Sequence, residues 1–290
     1  MSWPITELRH YLSVPARCWY RVAAPGAERR SREQKTGERH ESPSRSCSAP
    51  SAVMPGGRWV AMGTGRLKIR IGAVMWIAGP VQYLIAQLVA QAAWRTPYSW
   101  MVNPLSDLGA VHCQRTGSGY PLPRYVCSPL HGIVNASVIA LGILLAGGVL
   151  LTASCWGGGA VSRAARILLI VGAAGSVTVG LVPEDVNLSL HVLGAFAGIV
   201  VGSCGFLLTG LIRRGSPLGR LRRVTLPLSI LAMTAAVLLF TAGIPAGDFG
   251  AVERLTVFPL RCWMVVAGIF LLREAMVRDQ DPKVPVNALR

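Results

Sequence analysis

The chain has 290 residues, 52% of them hydrophobic and only 14% charged, with a mean hydropathy of +0.46 and a formal net charge of +16. Soluble globular domains carry nearer a quarter charged residues, so the composition excludes that class. It also argues against nucleic acid as a partner: no binding motif accompanies the positive excess, and in a membrane chain such an excess marks basic segments set against anionic lipid headgroups.

Residues 1–65, with AERRSREQKTGERHESPSRS near their centre, are rich in Arg, Ser, Pro and Glu. They lack a sustained apolar period and are expected to be a disordered basic tail. No apolar stretch with a small-residue cleavage site marks a secretory signal. Translation from Met54 or Met62, which leaves out most or all of the tail, is the competing reading. Residues 66–273 hold apolar runs of the length that crosses a hydrocarbon core. They predict an all-α, polytopic transmembrane helix bundle of six spans, followed by a cytoplasmic C-terminal tail over 274–290.

Span one is expected at 69–93, where Gly79 and Pro80 should kink it and Gln87 and Gln91 share a face suited to interhelical hydrogen bonds. A long loop follows over 94–127, with Trp94, Tyr98 and Trp100 as interfacial anchors and Ser106-Asp107-Leu108-Gly109 and His112 inside it. Span two, 128–151, carries His131 and Asn135 one turn apart near its start. Span three, 167–182, leads through the acidic turn Pro183-Glu184-Asp185 into span four, 188–212, with His191 at its mouth. Span five is expected at 224–244. Asp248, Glu253, Arg254 and Arg261 are then placed in or near a loop before span six at 255–272.

Lys and Arg set the orientation. The N-terminal segment, the turn at Arg163 and Arg166, the loop from Arg213 to Arg223 and the C-terminal segment are strongly basic and fall on one side. Both termini are therefore expected in the cytoplasm, and the chain in a bacterial plasma (inner) membrane. Cys113 and Cys127 fall together in the outer loop and could form a disulfide in an oxidising compartment. Gly194, Gly198 and Gly202 recur on one helical face, a surface for close packing within the chain or against a second copy. Gly172 and Gly175 offer a similar face for it to meet.

This topology gathers Asp107, His131, Asn135, Glu184, Asp185 and His191 at the outer face, as an outward-facing polar pocket would require. Two chemistries fit them. His131 and His191, with Asp107 or Asp185, supply the donor types of a three-ligand zinc site with an open position for water, and the remaining carboxylate could act as base. The same groups could instead bind or relay protons, a cation or a small substrate. No HExxH, paired CxxC or nucleophile elbow selects between them. A purely structural role, in which these side chains hydrogen-bond between helices without catalysis, stands beside both.

The motifs, in order, carry a resemblance. Ser106-Asp107-Leu108-Gly109, then Ser128, Pro129 and Asn135, then Pro183-Glu184-Asp185 with His191, resemble the bacterial integral membrane family known as domain of unknown function 998 (DUF998), over about residues 70–272. The resemblance implies a six-helix bundle with polar residues at these positions and no particular activity. Ser106, Asp107, His131 and His191 are more loosely similar to membrane hydrolases of the alkaline ceramidase and progestin-receptor-like type, which implies zinc and a lipid amide or ester substrate. This chain departs from them in having six predicted spans rather than seven, and no HxxxH in the last.

Overall fold

A computed structural model of the protein describes residues 57–280, apart from 97, 118–122, 242, 243 and 245. The expectations for residues 1–56 and 281–290 lie outside the described residues. The helices are α1 (Gly57–Ala92), α2 (His131–Leu151), α3 (Ala160–Leu181), α4 (Leu188–Phe196), α5 (Gly202–Gly210), α6 (Arg222–Thr241) and α7 (Phe249–Gln280). A π-helical turn, Ala197–Val201, joins α4 to α5 into one continuous rod. Among the described residues, six segments are long and apolar enough to cross a membrane: Gly65–Ala92, His131–Leu151, Ala160–Leu181, Leu188–Gly210, Leu218–Thr241 and Phe249–Val277. Helix extends past the expected domain edges at both ends, beginning at Gly57 and running to Gln280.

Local chemistry sets the breaks. Gly159, at φ 109°, turns the chain into α3 in a conformation that a side chain would strain. Asn187 caps α4, its side-chain oxygen accepting the Leu190 N–H at 3.0 Å. Pro80 stands inside α1 without interrupting it. Beside it, Gln82 donates to Gly79 O at 3.0 Å and across to Ser137 O at 2.8 Å, so polar bonding ties the proline turn to α2.

Around the bundle, α1 packs on α2, α2 on α3, α3 on α4 and α5, α5 on α6, α6 on α7, and α7 back on α1. Large apolar side chains such as Ile143, Ile167 and Leu193, each more than half exposed, point out of this ring. So much outward apolar surface is stable only in lipid. Inside, one end of the ring is filled by aromatic rings. Trp76 meets Trp156 edge-on with centroids 6.0 Å apart and Trp263 at 5.3 Å, and Trp263 meets Phe206 at 5.4 Å. Trp263 Nε1 donates to Thr225 Oγ1 at 2.8 Å, which satisfies its polar atom within the core.

The glycine ladder on α4 and α5 faces α3. A Cβ added at Gly175 would lie 2.5 Å from Gly198 N and 2.6 Å from Gly194 O, and one at Gly172 would lie 2.8 Å from Gly202 Cα. The tightest approaches are thus enforced from the α3 side. Cβ atoms at Gly198 and Gly202 would find their nearest neighbours at 3.6 and 3.7 Å, ordinary contact. Gly175→Ala should therefore push two backbones apart at a cost of about 1–3 kcal/mol, whereas Gly198→Ala should stay within about 0.5 kcal/mol of the parent. Thermal unfolding of the two variants in one detergent reads the difference.

Candidate functional site

The long segment between α1 and α2 folds over the mouth of the ring. It contains a 3₁₀ turn, Ser106–Gly109, and a two-stranded antiparallel ribbon of β1 (Gln114–Arg115) and β2 (Tyr125–Val126). A disulfide between Cys113 and Cys127 closes the ribbon. Four polar side chains anchor this cap. Ser128 Oγ donates to Leu108 O at 2.7 Å, and Asn135 Nδ2 donates to Gly109 O at 2.9 Å. The Asp185 carboxylate accepts Val111 N–H at 3.1 Å, His112 N–H at 2.6 Å and His112 Nδ1 at 2.9 Å, which joins the acidic turn to the cap. At the α7 side, Arg254 Nη1 donates to Trp100 O, Asn103 O and Gly250 O, each at 2.8 Å, and Nη2 to Tyr98 Oη at 2.8 Å.

Beneath the cap, charge is buried. Asp107 has no exposed surface. Its Oδ2 accepts from Asn103 Nδ2 at 3.0 Å and Arg124 Nε at 2.7 Å, and its Oδ1 accepts from Arg124 Nη2, a two-pronged pairing. Burial works against the Arg124 charge, but the hydrogen bonds and charge of Asp107 outweigh it and hold the guanidinium above its ordinary range. Glu184 Oε1 lies 3.9 Å from Arg124 Nη2, beside Ser106 and Asp107. Burial, then the Asp107 charge, push Glu184 up to about 8. Asp185, by contrast, is held below its ordinary range: burial opposes its charge, and the His112 and Val111 N–H groups more than offset that. A further carboxylate, Glu253, accepts the Leu105 N–H from the first turns of α7.

Inward of these groups lies a cavity of about 680 Å³, counting its open mouth. Polar atoms reach it from every side: Gln87 of α1, Asn135 of α2, Ser176 of α3, His191 of α4, and Glu253 and Arg261 of α7. The π-helical turn contributes Gly198 and Ile199 to its wall. Turns of this kind recur at functional sites because they rotate side chains out of α-helical register. His191 Nδ1 donates to Val182 O at 2.8 Å, so the lone pair of its neutral ring falls on Nε2. The Gln87 side-chain oxygen is buried without a hydrogen-bond partner.

Of the residues expected from sequence, Asp107 and Glu184 come together in one buried network, and Asn135 and His191 line the cavity beneath it. Asp185 and His131 serve elsewhere, Asp185 on the cap and His131 donating through Nδ1 to Ser128 O at 3.0 Å. For the zinc expectation at His131, His191 and Asp107, no three or more His, Cys, Asp or Glu are grouped as metal ligands among the described residues. Arg124 enters the network unforeseen. Arg261 and Glu253 lie within the last membrane-capable helix, not in a preceding loop, because α7 begins at Phe249 and runs past both. The visible signal for Arg261 was a lone charge inside an apolar run, and for Arg124 its place three residues before a paired cysteine.

These observations define a multi-pass α-helical membrane protein with a capped cavity between its helices, mostly apolar in its wall, to which a few polar residues contribute. The family described as "Protein of unknown function (DUF998)" matches residues 77–269, and the chain belongs to it. No curated protein and no solved structure matches the chain.

The raised Glu184 carboxyl sets a pH dependence. Between its ordinary value of 4.5 and about 8, the folded protein keeps a proton that the unfolded chain has released. Stability should therefore fall as pH rises through that window and level off above it. Asp185, held low, contributes stability that is constant there and is lost only in more acidic solution. Melting temperature followed from pH 5 to 8 should drop by several degrees more in the parent than in Glu184→Gln.

Proposed function

We propose that this protein binds a small molecule inside the membrane, in a cavity reached from the outer face, and that the carboxyl network above the cavity exchanges a proton as the site fills or empties. One observation carries the reading. A space of about 680 Å³, counting its open mouth, lies between membrane-capable helices, and an amide of α1, an amide of α2, a hydroxyl of α3, an imidazole of α4 and a carboxylate and a guanidinium of α7 are among the groups that line it. Polar and ionisable groups inside a membrane are costly unless they meet a ligand, water or one another. The proton is the natural co-substrate, because Glu184 rests near the pH at which it can give one up.

The same reading sets the orientation and the membrane. The disulfide-closed cap and the acid network lie at one end of the bundle, and Arg163, Arg166, Arg213, Arg214, Arg220, Arg222 and Arg223 at the other. The basic end faces the cytoplasm and its anionic lipids, the cap faces an oxidising exterior, and the membrane is the plasma membrane.

Cysteine accessibility tests this. Ser176→Cys and Ala195→Cys, each the sole free cysteine, line the cavity, whereas Ile143→Cys faces lipid. In intact cells, a membrane-impermeant thiol reagent should modify the two cavity positions at least tenfold faster than Ile143→Cys. Protection of all three from the outer face would overturn the reading.

A further inference from the structure

Arg261 stands two residues from the middle of the membrane-capable segment Phe249–Val277. That is about 18 Å along the helix from Phe249. A guanidinium at this depth ordinarily pairs with a carboxylate or reaches an interface. Arg261 does neither. Nη1 donates to Val257 O of its own helix at 3.1 Å, its charge lies 5.9 Å from the Tyr83 ring centroid, and Nε is shielded without a partner. Among the described residues no ion pair reaches it. Glu253, on the same helix, is two turns nearer the cap, about 12 Å away along the axis, and is occupied by the Leu105 N–H.

The surroundings of Arg261 are two-sided. It lines the capped cavity, where the Gln87 oxygen is also without a partner. With Tyr83, it also lines a groove of about 400 Å³ between α1 and α7, walled by Val81, Leu84, Phe258 and Val265. Val81 and Leu84 are each more than two-fifths exposed, and the groove therefore opens onto lipid. One cation thus sits where the capped cavity and an apolar, lipid-facing groove meet.

We propose that this junction binds a single-chain anionic amphiphile, with its carboxylate or phosphate head paired to Arg261 and its alkyl chain lying in the α1–α7 groove. The uncompensated positive charge selects an anion. The apolar groove, continuous with lipid, selects an alkyl chain over a water-soluble anion. The proposal rests on the cavity being a ligand site and names the class of ligand.

The test uses the full chain in phosphatidylcholine nanodiscs and a photoactivatable palmitate carrying a diazirine on its chain. Labelling should map to α1 and α7 peptides that include Leu84 and Phe258. Arg261→Gln should reduce it at least tenfold, and Arg261→Lys should retain most of it. Excess palmitate or lysophosphatidate should compete, and the one effective at lower concentration assigns the head as carboxylate or phosphate. Hexadecanol should not compete. Equal labelling of Arg261→Gln, or equal competition by hexadecanol, would overturn the proposal. Arg261→Gln should melt no lower than the parent, because it removes an unpaired charge from the membrane. If it does not fold, Leu84→Trp, which fills the groove from the lipid side, carries the test: lost labelling supports the proposal and retained labelling overturns it. Cysteine accessibility of the cavity does not involve Arg261. If it succeeds while palmitate labelling fails, the amphiphile alone is removed and the cavity reading stands.

Discussion

The outer half of the molecule depends on the buried pairing of Asp107 with Arg124. Removing a carboxylate and a guanidinium from water costs several kcal/mol each, and the cost is recovered only when geometry is close and the remaining polar atoms are satisfied. Here both conditions are met. Asp107 accepts from two guanidinium nitrogens and from Asn103, and the chain that delivers Arg124 is drawn in by the ribbon and the Cys113–Cys127 bond. The 3₁₀ turn that carries Asp107 is in turn fixed by Ser128 and Asn135 at the start of α2. The cap is therefore seated by electrostatics at its centre and by backbone hydrogen bonds at its edges. A second carboxyl beside this pair cannot also be charged without cost, and so Glu184 keeps a proton.

The two ends of the bundle divide the work. At the basic end, Trp76, Trp156, Trp263 and Phe206 fill the ring and bring α1, α5 and α7 together around a dry core. At the capped end α1 and α7 enclose the cavity together with α2, α3 and α4, and polar side chains join the apolar ones in its wall. Stability can thus be concentrated at one end and access at the other. The close contact of α3 with the α4–α5 rod, set by Gly172 and Gly175, runs between the two and positions the π-helical turn against the cavity. Arg261 lies where the regimes meet, with the capped cavity on one side and a lipid-facing groove on the other.

Much of the fold was legible in the sequence, because an uncharged apolar run of helical length has few fates besides a membrane span. The spans, the glycine face and the polar motifs of the family could all be read from local pattern. The last span was read as starting too late. Glu253, Arg254 and Arg261 broke the apolar run, and charge inside a helix cannot be told from charge in a loop until its burial and partners are known. The pairing of Asp107 with Arg124 was hidden for a different reason. Seventeen residues separate them, and they meet only because the ribbon reverses the chain. A histidine near a helix start looks the same in sequence whether it awaits a metal or, like His131, donates to Ser128 O three residues back.

The central claim is that the Asp107–Arg124 pair seats the cap, and a double-mutant cycle measures it directly. Asp107→Asn, Arg124→Gln and the double variant would be compared by equilibrium unfolding at pH 7 in a single detergent. Each single variant leaves a buried charge without its partner and should lose about 3–5 kcal/mol. The double variant should recover much of that loss, giving a coupling above about 2 kcal/mol. Losses that add to within about 0.5 kcal/mol would show that the two side chains act independently, and would contradict the account.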